Sequence, residues 1–180
     1  MKKLISVIAA IMMVGAMAAC GNTETVVEAK PVITKTGLGI VSNVNVKNEN
    51  EDKGASSQVD TTSCAVTLDE NGVIVGIKFD ITQGKAEFDK EGEAVTESAK
   101  DIKSKKELGE DYHLKGVSSI GKEMSEQIVG LEEYAVGKKA EDVIGMELTE
   151  TGAGVDLATS CTINIQDYLF ALQKAVNNAK

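Results

Sequence analysis

Aromatic residues are scarce in this 180-residue chain, which has three Tyr, three Phe and no Trp. It also has one histidine, His113, and no glycine loop of the phosphate-binding or dinucleotide-binding type. A single histidine excludes a histidine-based metal cluster and a conventional Ser-His-Asp triad, so we expect His113 to be a surface loop residue and predict no metal site. Any redox chemistry would then belong to a cofactor.

Basic residues are outnumbered. Once Lys2 and Lys3 are set aside with the N-terminal segment, 17 basic residues stand against 28 acidic ones, a net charge of about −11. Nucleic-acid binding depends on Lys and Arg neutralising phosphates, so we exclude nucleic acid as a partner.

Long hydrophobic runs are also missing. The apolar run 4–19 is shorter than the roughly 20 residues that cross a bilayer. Following Met1-Lys2-Lys3, it predicts a signal peptide over 1–19. Met17-Ala18-Ala19-Cys20 resembles a lipobox, which predicts a lipid on Cys20 and anchorage at the extracytoplasmic face of the cell membrane. The alternative is an uncleaved N-terminal anchor, which places the rest of the chain on the same side.

The only proline, Pro31, falls in a polar stretch that we interpret as a tether over 20–35. Residues 36–180 suffice for one domain with one core. Three stretches of this domain alternate with period two, which is typical of strands. The first has Leu38, Ile40, Val44 and Val46 on one face.

The clearest hairpin joins 64–68 to 73–81 through the turn Asp69-Glu70-Asn71-Gly72. A further strand is predicted over 85–89. Helical periodicity follows over 119–136, 140–148 and from about Ile165 onward. Strands followed by helices predict an α+β fold, in which an antiparallel β-meander is packed by C-terminal helices on one face.

The stretch before the last helix concentrates reactive groups. Asp156, Thr159, Ser160, Cys161 and Thr162 supply an acid, three hydroxyls and a thiol. Because helix N-termini attract anions, a hydroxyl there is well placed to carry or adjoin a phosphate. The ordinary alternative is that Asn164 and Asp167 form an N-cap pair with no function beyond the helix.

This stretch resembles the flavinylation signature of the FMN-binding domain family. Asp156, Thr159, Ser160 and Thr162 fall on the pattern, and Cys161 stands where the family has Ala. The resemblance extends over roughly 36–180. It includes Gly-Leu-Gly-Ile-Val at 37–41, Ala-Val-Thr-Leu-Asp-Glu-Asn-Gly at 65–72, Lys-Glu-Leu-Gly-Glu-Asp-Tyr at 106–112 and Ser-Ile-Gly-Lys-Glu at 119–123, which are similar to a clostridial-type lipoprotein branch.

The resemblance implies an electron-transfer carrier that holds FMN. The FMN is either bonded through its phosphate to Thr162 or bound non-covalently, in which case Thr162 is a phosphate contact only. A flavin transferase would make the bond, with Asp156 assisting, and Thr159 and Ser160 would lie beside the cofactor. A redox partner protein or quinone-linked donor would exchange electrons with it. The departure at Cys161 and the scarcity of aromatics leave an alternative from another class, a flavin-free module for ligand or protein interaction at the cell surface.

Cys64 and Cys161 remain once Cys20 is lipidated. In an extracytoplasmic protein such a pair favours a disulfide, which would contribute about 4–5 kcal/mol for so long a loop in the chain-entropy model. The alternative is two buried free thiols that behave as small apolar residues.

Overall fold

The structure is a computed structural model that describes residues 34–51, 53–96 and 100–180. These residues belong to one compact unit, Val32–Lys180. The predicted signal peptide, Cys20 and most of the predicted tether lie outside the described residues. Within the described ranges, no helix is both long enough and apolar enough to cross a bilayer.

In the part of the chain that the structure describes, three antiparallel strands form a sheet in the order β1-β2-β3, with β1 at Lys35–Lys47, β2 at Ser56–Leu68 and β3 at Ile74–Glu87. The predicted hairpin turn joins β2 to β3. There the Asp69 carboxylate accepts hydrogen bonds from the backbone N–H groups of Asn71 and Val73, each at 2.8 Å, and Gly72 adopts a φ of +77°. The α+β fold with an antiparallel meander is therefore confirmed.

The further strand predicted over 85–89 is wrong. Residues 85–87 are the end of β3, which pairs along its length with β2. Phe88 forms only an isolated bridge to Ala94 across the turn that follows. The turn at 89–92 closes back on the end of β3, where the Val95 backbone N–H donates to the Glu87 carbonyl at 2.8 Å.

The first strand presents its apolar side chains to solvent. Leu38, Ile40, Val44 and Val46 do share a face, yet their exposed fractions range from 47% to 69%. The opposite face of β1, which carries Gly37 and Gly39, packs against the last helix. Alternation correctly grouped the residues of β1, but the face that the core covers is the glycine face.

Within the described ranges, four α-helices follow the sheet: α1 at Lys105–Leu108, α2 at Met124–Ala135, α3 at Ala140–Ile144 and α4 at Gln166–Asn178. Helix α2 begins five residues later than predicted. Gly121 has a φ of +62°, which interrupts the helical path, and Glu123 then caps the helix, its backbone N–H donating to the Glu126 carboxylate at 2.7 Å.

Glycine allows α4 to lie directly on β1. A Cβ at Gly39 would overlap the carbonyl oxygen of Ala171 and approach the Ala175 nitrogen to 2.6 Å. Gly37 faces Ala175 in the same way. Two small residues one turn apart on α4 thus meet two glycines on alternate positions of β1, so helix and strand backbones are in contact.

The C-terminal end of α4 also covers part of the open edge of β1. Thr36 and Lys180 exchange two backbone hydrogen bonds of 3.1 Å. The Leu38 carbonyl accepts from Asn178 at 3.2 Å, and the Ile40 carbonyl accepts from Lys174 at 2.8 Å. Capping an edge strand in this way blocks its pairing with another chain.

A buried carboxylate joins α2 to β3. Glu132 is 4% exposed and accepts the backbone N–H of Phe79 at 2.7 Å. It is paired with Lys78 at 3.1 Å and with Lys106. Two cations and a backbone donor offset the cost of burying this charge.

Both cysteines of the domain are fully buried free thiols in the structure. This differs from the disulfide favoured by the sequence and matches the alternative of two small apolar core residues. Burial raises the pKa of Cys64 to about 12, with a smaller contribution from Glu132, and burial raises the pKa of Cys161 to about 11. The thiolate, which is the reactive form, is therefore suppressed at both positions.

We expect neither Cys64 nor Cys161 to react with an alkylating reagent in the native protein at mildly alkaline pH. In denaturant without reductant, both should be labelled, because unfolding exposes them and restores ordinary pKa values. Peptide mass spectrometry measures the labelling, with a reduced and denatured sample as the reference. Peptides that resist labelling in denaturant until reductant is added would show a disulfide instead.

Candidate functional site

The loop that carries the signature residues is held between α2 and α4. It begins with a 3₁₀ turn at Val155–Leu157, and the Leu157 carbonyl accepts from the backbone N–H groups of Ser160 and Cys161 at 2.9 and 2.8 Å. Gly130 of α2 admits the loop, because a Cβ there would lie 2.8 Å from the Ser160 carbonyl oxygen. The helix and the loop are therefore in direct backbone contact.

The half-buried Thr162 is fixed by one side chain of α2. Its backbone N–H and its hydroxyl both donate to Gln127 Oε1, at 2.8 and 3.2 Å. Gln127 is 1% exposed, and its Nε2 donates to the Ser118 hydroxyl and the Lys122 carbonyl. Gln127 thus fixes the position of Thr162 in the loop.

The other signature residues lie on the outside of the same loop. Asp156 and Thr159 are exposed, and Ser160 is half-buried, with its hydroxyl 3.4 Å from the Leu157 carbonyl. The Asp156 carboxylate accepts the Tyr134 hydroxyl at 3.0 Å. Burial, and then the hydrogen bond and charge of Asp156, raise the pKa of Tyr134. The structure therefore pairs Asp156 with Tyr134 and Thr162 with Gln127.

The predicted cap pair at the start of α4 is wrong, because the N-cap residue is Ile165, which makes no side-chain cap hydrogen bond. The Asn164 side chain, one residue earlier, accepts the Gln166 backbone N–H at 3.0 Å. Asp167, the other half of the predicted pair, instead accepts Asn43 Nδ2 of β1 at 2.7 Å. The N-terminus of α4 thus lies close behind Thr162 and is tied to the sheet.

Ile163 and Asn164, the two residues that follow Thr162 in the chain, line a cavity of about 290 Å³. Its volume is at the lower end of the roughly 300–1,000 Å³ typical of small-molecule sites. The lining combines apolar side chains, amides and buried polar groups: Thr62, Ile81, Lys105, Met124, Ile163, Asn164, Gln166, Asp167 and Tyr168.

Three of these polar residues are almost completely buried, and Thr62 is the least exposed of them at 1%. Lys105 is 7% exposed, and its ammonium group donates to the Tyr112 hydroxyl at 2.8 Å and lies 4.7 Å from the centre of that ring. Tyr168 is 2% exposed, and its ring packs edge-on against Phe79. The Tyr168 hydroxyl has no hydrogen-bond partner among the described residues.

Gln127, Lys105 and Tyr168 were not identified from the sequence as site residues. Gln127 could have been noticed in the sequence, because it is a polar residue beside the apolar stripe of α2. Lys105 falls in a charged segment that is typical of solvent-exposed surface, and Tyr168 falls on the apolar face of α4. Only tertiary packing brings the last two together in the lining of one cavity.

The described residues contain no group of three or more His, Cys, Asp or Glu side chains that could hold a metal ion. Comparison of the chain with family models, with curated proteins and with solved structures finds no match in any of the three.

Replacing Gln127 with alanine should lower the free energy of unfolding by about 1–3 kcal/mol, because the Thr162 N–H loses its partner in a partly buried loop. Chemical denaturation measures the change. Gln173→Ala is the matched control, since the Gln173 side chain bonds to Asn177 on the exposed face of α4, and it should cost less than about 0.5 kcal/mol. Equal effects of the two substitutions would contradict the assigned role of Gln127.

Proposed function

We propose that this chain is an FMN-binding lipoprotein, anchored by a lipid on Cys20 at the extracytoplasmic face of the membrane, that relays electrons through FMN attached to Thr162. The observation that carries the proposal is the placement of Thr162. Thr162 lies four residues before the first residue of α4. Its hydroxyl is held by Gln127, and Ile163 and Asn164, the next two residues, line a cavity. The resemblance of 156–162 to the flavinylation signature supplies the identity of the cofactor.

The attachment is a phosphodiester. The Thr162 oxygen bonds to the phosphorus of the FMN group, its proton passes to a base, and the leaving group of the flavin nucleotide donor departs with the electrons of the broken P–O bond. The product places negative charge near the N-terminus of α4. A charge there is stabilised by about 0.3–1 kcal/mol at an exposed helix end.

Asp156 acts in this proposal during attachment. Its carboxylate is exposed and is hydrogen-bonded to Tyr134 instead of Thr162. An exposed acid beside the acceptor loop is suited to contact the flavin transferase, or a metal ion that the transferase brings. Gln127, whose Oε1 accepts the Thr162 hydroxyl, orients the acceptor oxygen.

Co-expression with a flavin transferase tests the proposal. We expect the purified chain to carry the visible absorption bands of flavin, and to keep them through denaturation and gel filtration. Protein made without the transferase is the control and should lose any flavin in denaturant. A chain that is colourless after co-expression would contradict the proposal.

A second candidate function has its own support. The face of β1 that carries Leu38, Ile40, Val44 and Val46 is apolar and exposed, which suits a flavin-free module that binds another protein or ligand at the cell surface. This alternative predicts a colourless chain in the same co-expression experiment, and unchanged partner binding when Thr162 is replaced.

A further inference from the structure

The rest of the fold covers only the first half of the open edge of β1. At positions 36, 38 and 40, the backbone groups that point away from β2 bond to α4 or to the C-terminal residue. Strand hydrogen bonding alternates along the chain, so the N–H and C=O groups of Ser42, Val44 and Val46 point the same way. Among the described residues, no other element bonds to these backbone groups.

The uncovered half of β1 lacks the features that usually protect an edge strand, which are inward or flanking charges, proline and β-bulges. Residues 36–46 include no charged residue and no proline, and β1 pairs with β2 in an unbroken register. Val44 and Val46 are 64% and 69% exposed on the face that the helices leave open. The edge at 42–46 is therefore a regular, uncharged template for another strand.

The opposite edge of the sheet, on β3, is protected by contacts along its length. The Phe79 N–H donates to the Glu132 carboxylate at 2.7 Å, and the Glu87 N–H donates to the Thr96 hydroxyl at 2.9 Å. Ile74 makes two backbone hydrogen bonds with 137–138. Association through β1 alone joins two copies by one shared surface and stops there, because β3 offers no equivalent edge for a filament to grow.

We propose that two copies of this chain pair edge to edge through 42–46, which joins their three-stranded sheets into one antiparallel sheet. The register is self-complementary. With a two-fold axis at Val44, this residue faces Val44 of the partner subunit, and Ser42 faces Val46 of the partner subunit. All of these are hydrogen-bonded pairs, which exchange two bonds each, so the joint contains about six backbone hydrogen bonds.

Charge and shape favour a second copy of the chain at this edge. Two copies that each carry a net charge of −9 repel one another, except through a contact that is itself uncharged, as 42–46 is. Helix α4 lies over 37–43, where it packs on Gly37 and Gly39 and bonds to Asn43. The two-fold axis places the α4 helices at opposite ends of the joint, so they do not collide. An extended segment of another protein is the competing occupant, and it leaves the purified chain monomeric.

Sedimentation velocity of the purified full chain, over about a hundredfold range of concentration, tests the proposal. We expect the sedimentation coefficient to rise from that of a monomer to that of a dimer and no further. Val44→Pro removes one outward N–H and no bond to β2, a position where edge strands accept proline, so this variant should stay monomeric. Val44→Thr keeps the N–H and the shape of the side chain, and it should dimerise as the wild type does.

A charge at the same position provides a second test that keeps the backbone intact. Val44→Lys brings two ammonium groups together at the two-fold axis, so it should weaken the dimer by about tenfold or more. Leu38→Lys is the matched control, because Leu38 is 56% exposed on the same face of β1 but lies where α4 already covers the edge. It should dimerise normally. A wild-type chain that is monomeric at every concentration would overturn the proposal, as would equal weakening by Leu38→Lys and Val44→Lys.

Discussion

Gly39→Ala should be among the most damaging single substitutions in this domain, lowering the free energy of unfolding by about 3 kcal/mol or more. The added methyl group would overlap the Ala171 carbonyl oxygen and crowd the backbone nitrogen of Ala175. A backbone atom cannot rotate aside as a long side chain can. The strand and α4 must therefore separate, which disturbs the edge contacts made by Lys174 and Asn178.

Gly76→Ala is the matched control because Gly76 belongs to the same sheet. A Cβ there meets only the Thr67 side chain, at 3.9 Å, an ordinary contact. Alanine in a strand is favoured over glycine by roughly 0.5–1 kcal/mol, so this variant should be neutral or slightly more stable. Chemical denaturation of both variants measures the difference. A Gly39→Ala protein within about 1 kcal/mol of the wild type would refute the close helix–strand contact.

Thr162→Ala should abolish covalent flavin attachment, while Thr159→Ala should only reduce it. Thr162 occupies the acceptor position of the signature and lies closest to the start of α4. Thr159 is nearer in sequence to Asp156, whose negative charge would repel the negative charge of a phosphodiester. The intact mass of each protein after co-expression with a flavin transferase measures attachment.

Thr162→Ser is the conservative control. It keeps the hydroxyl and the backbone N–H that donate to Gln127, so it should still acquire the cofactor. A Thr162→Ala protein that gains the full flavin mass would transfer the acceptor role to Thr159 or Ser160. Loss of attachment in Thr162→Ser as well would indicate that the methyl group, and not only the hydroxyl, is required.

The strands that the sequence located correctly are those with local turn chemistry. Asp69 and Gly72 define a hairpin through their own side-chain bonds and dihedral angles, so 64–81 could be predicted without tertiary information. Which face of β1 is buried could not be predicted in this way. Period-two alternation groups Leu38 with Val46, but which face is covered depends on α4, and the contact is made by glycines that carry no hydrophobic signal.

In the candidate site, too, local features could be predicted from the sequence and contacts between distant residues could not. The sequence placed the start of α4 near Ile165, because helical periodicity is a local feature, and α4 does begin at Gln166. The partner of Thr162 lies 35 residues earlier, on α2, and the cavity combines α1, α2, α4 and the sheet. The buried positions of Lys105 and Tyr168 depend on that assembly, so neither residue could be assigned from periodicity alone.

Peptide-level mass spectrometry of the wild-type chain, purified after co-expression with a flavin transferase, tests the central proposal most directly. We expect the peptide that contains Thr162 to gain the mass of FMN less one water, with fragmentation placing the added group on Thr162. The contradicting result is an unmodified Thr162 peptide from a chain in which the active transferase has flavinylated no other residue either. It would show that this protein does not carry covalent FMN.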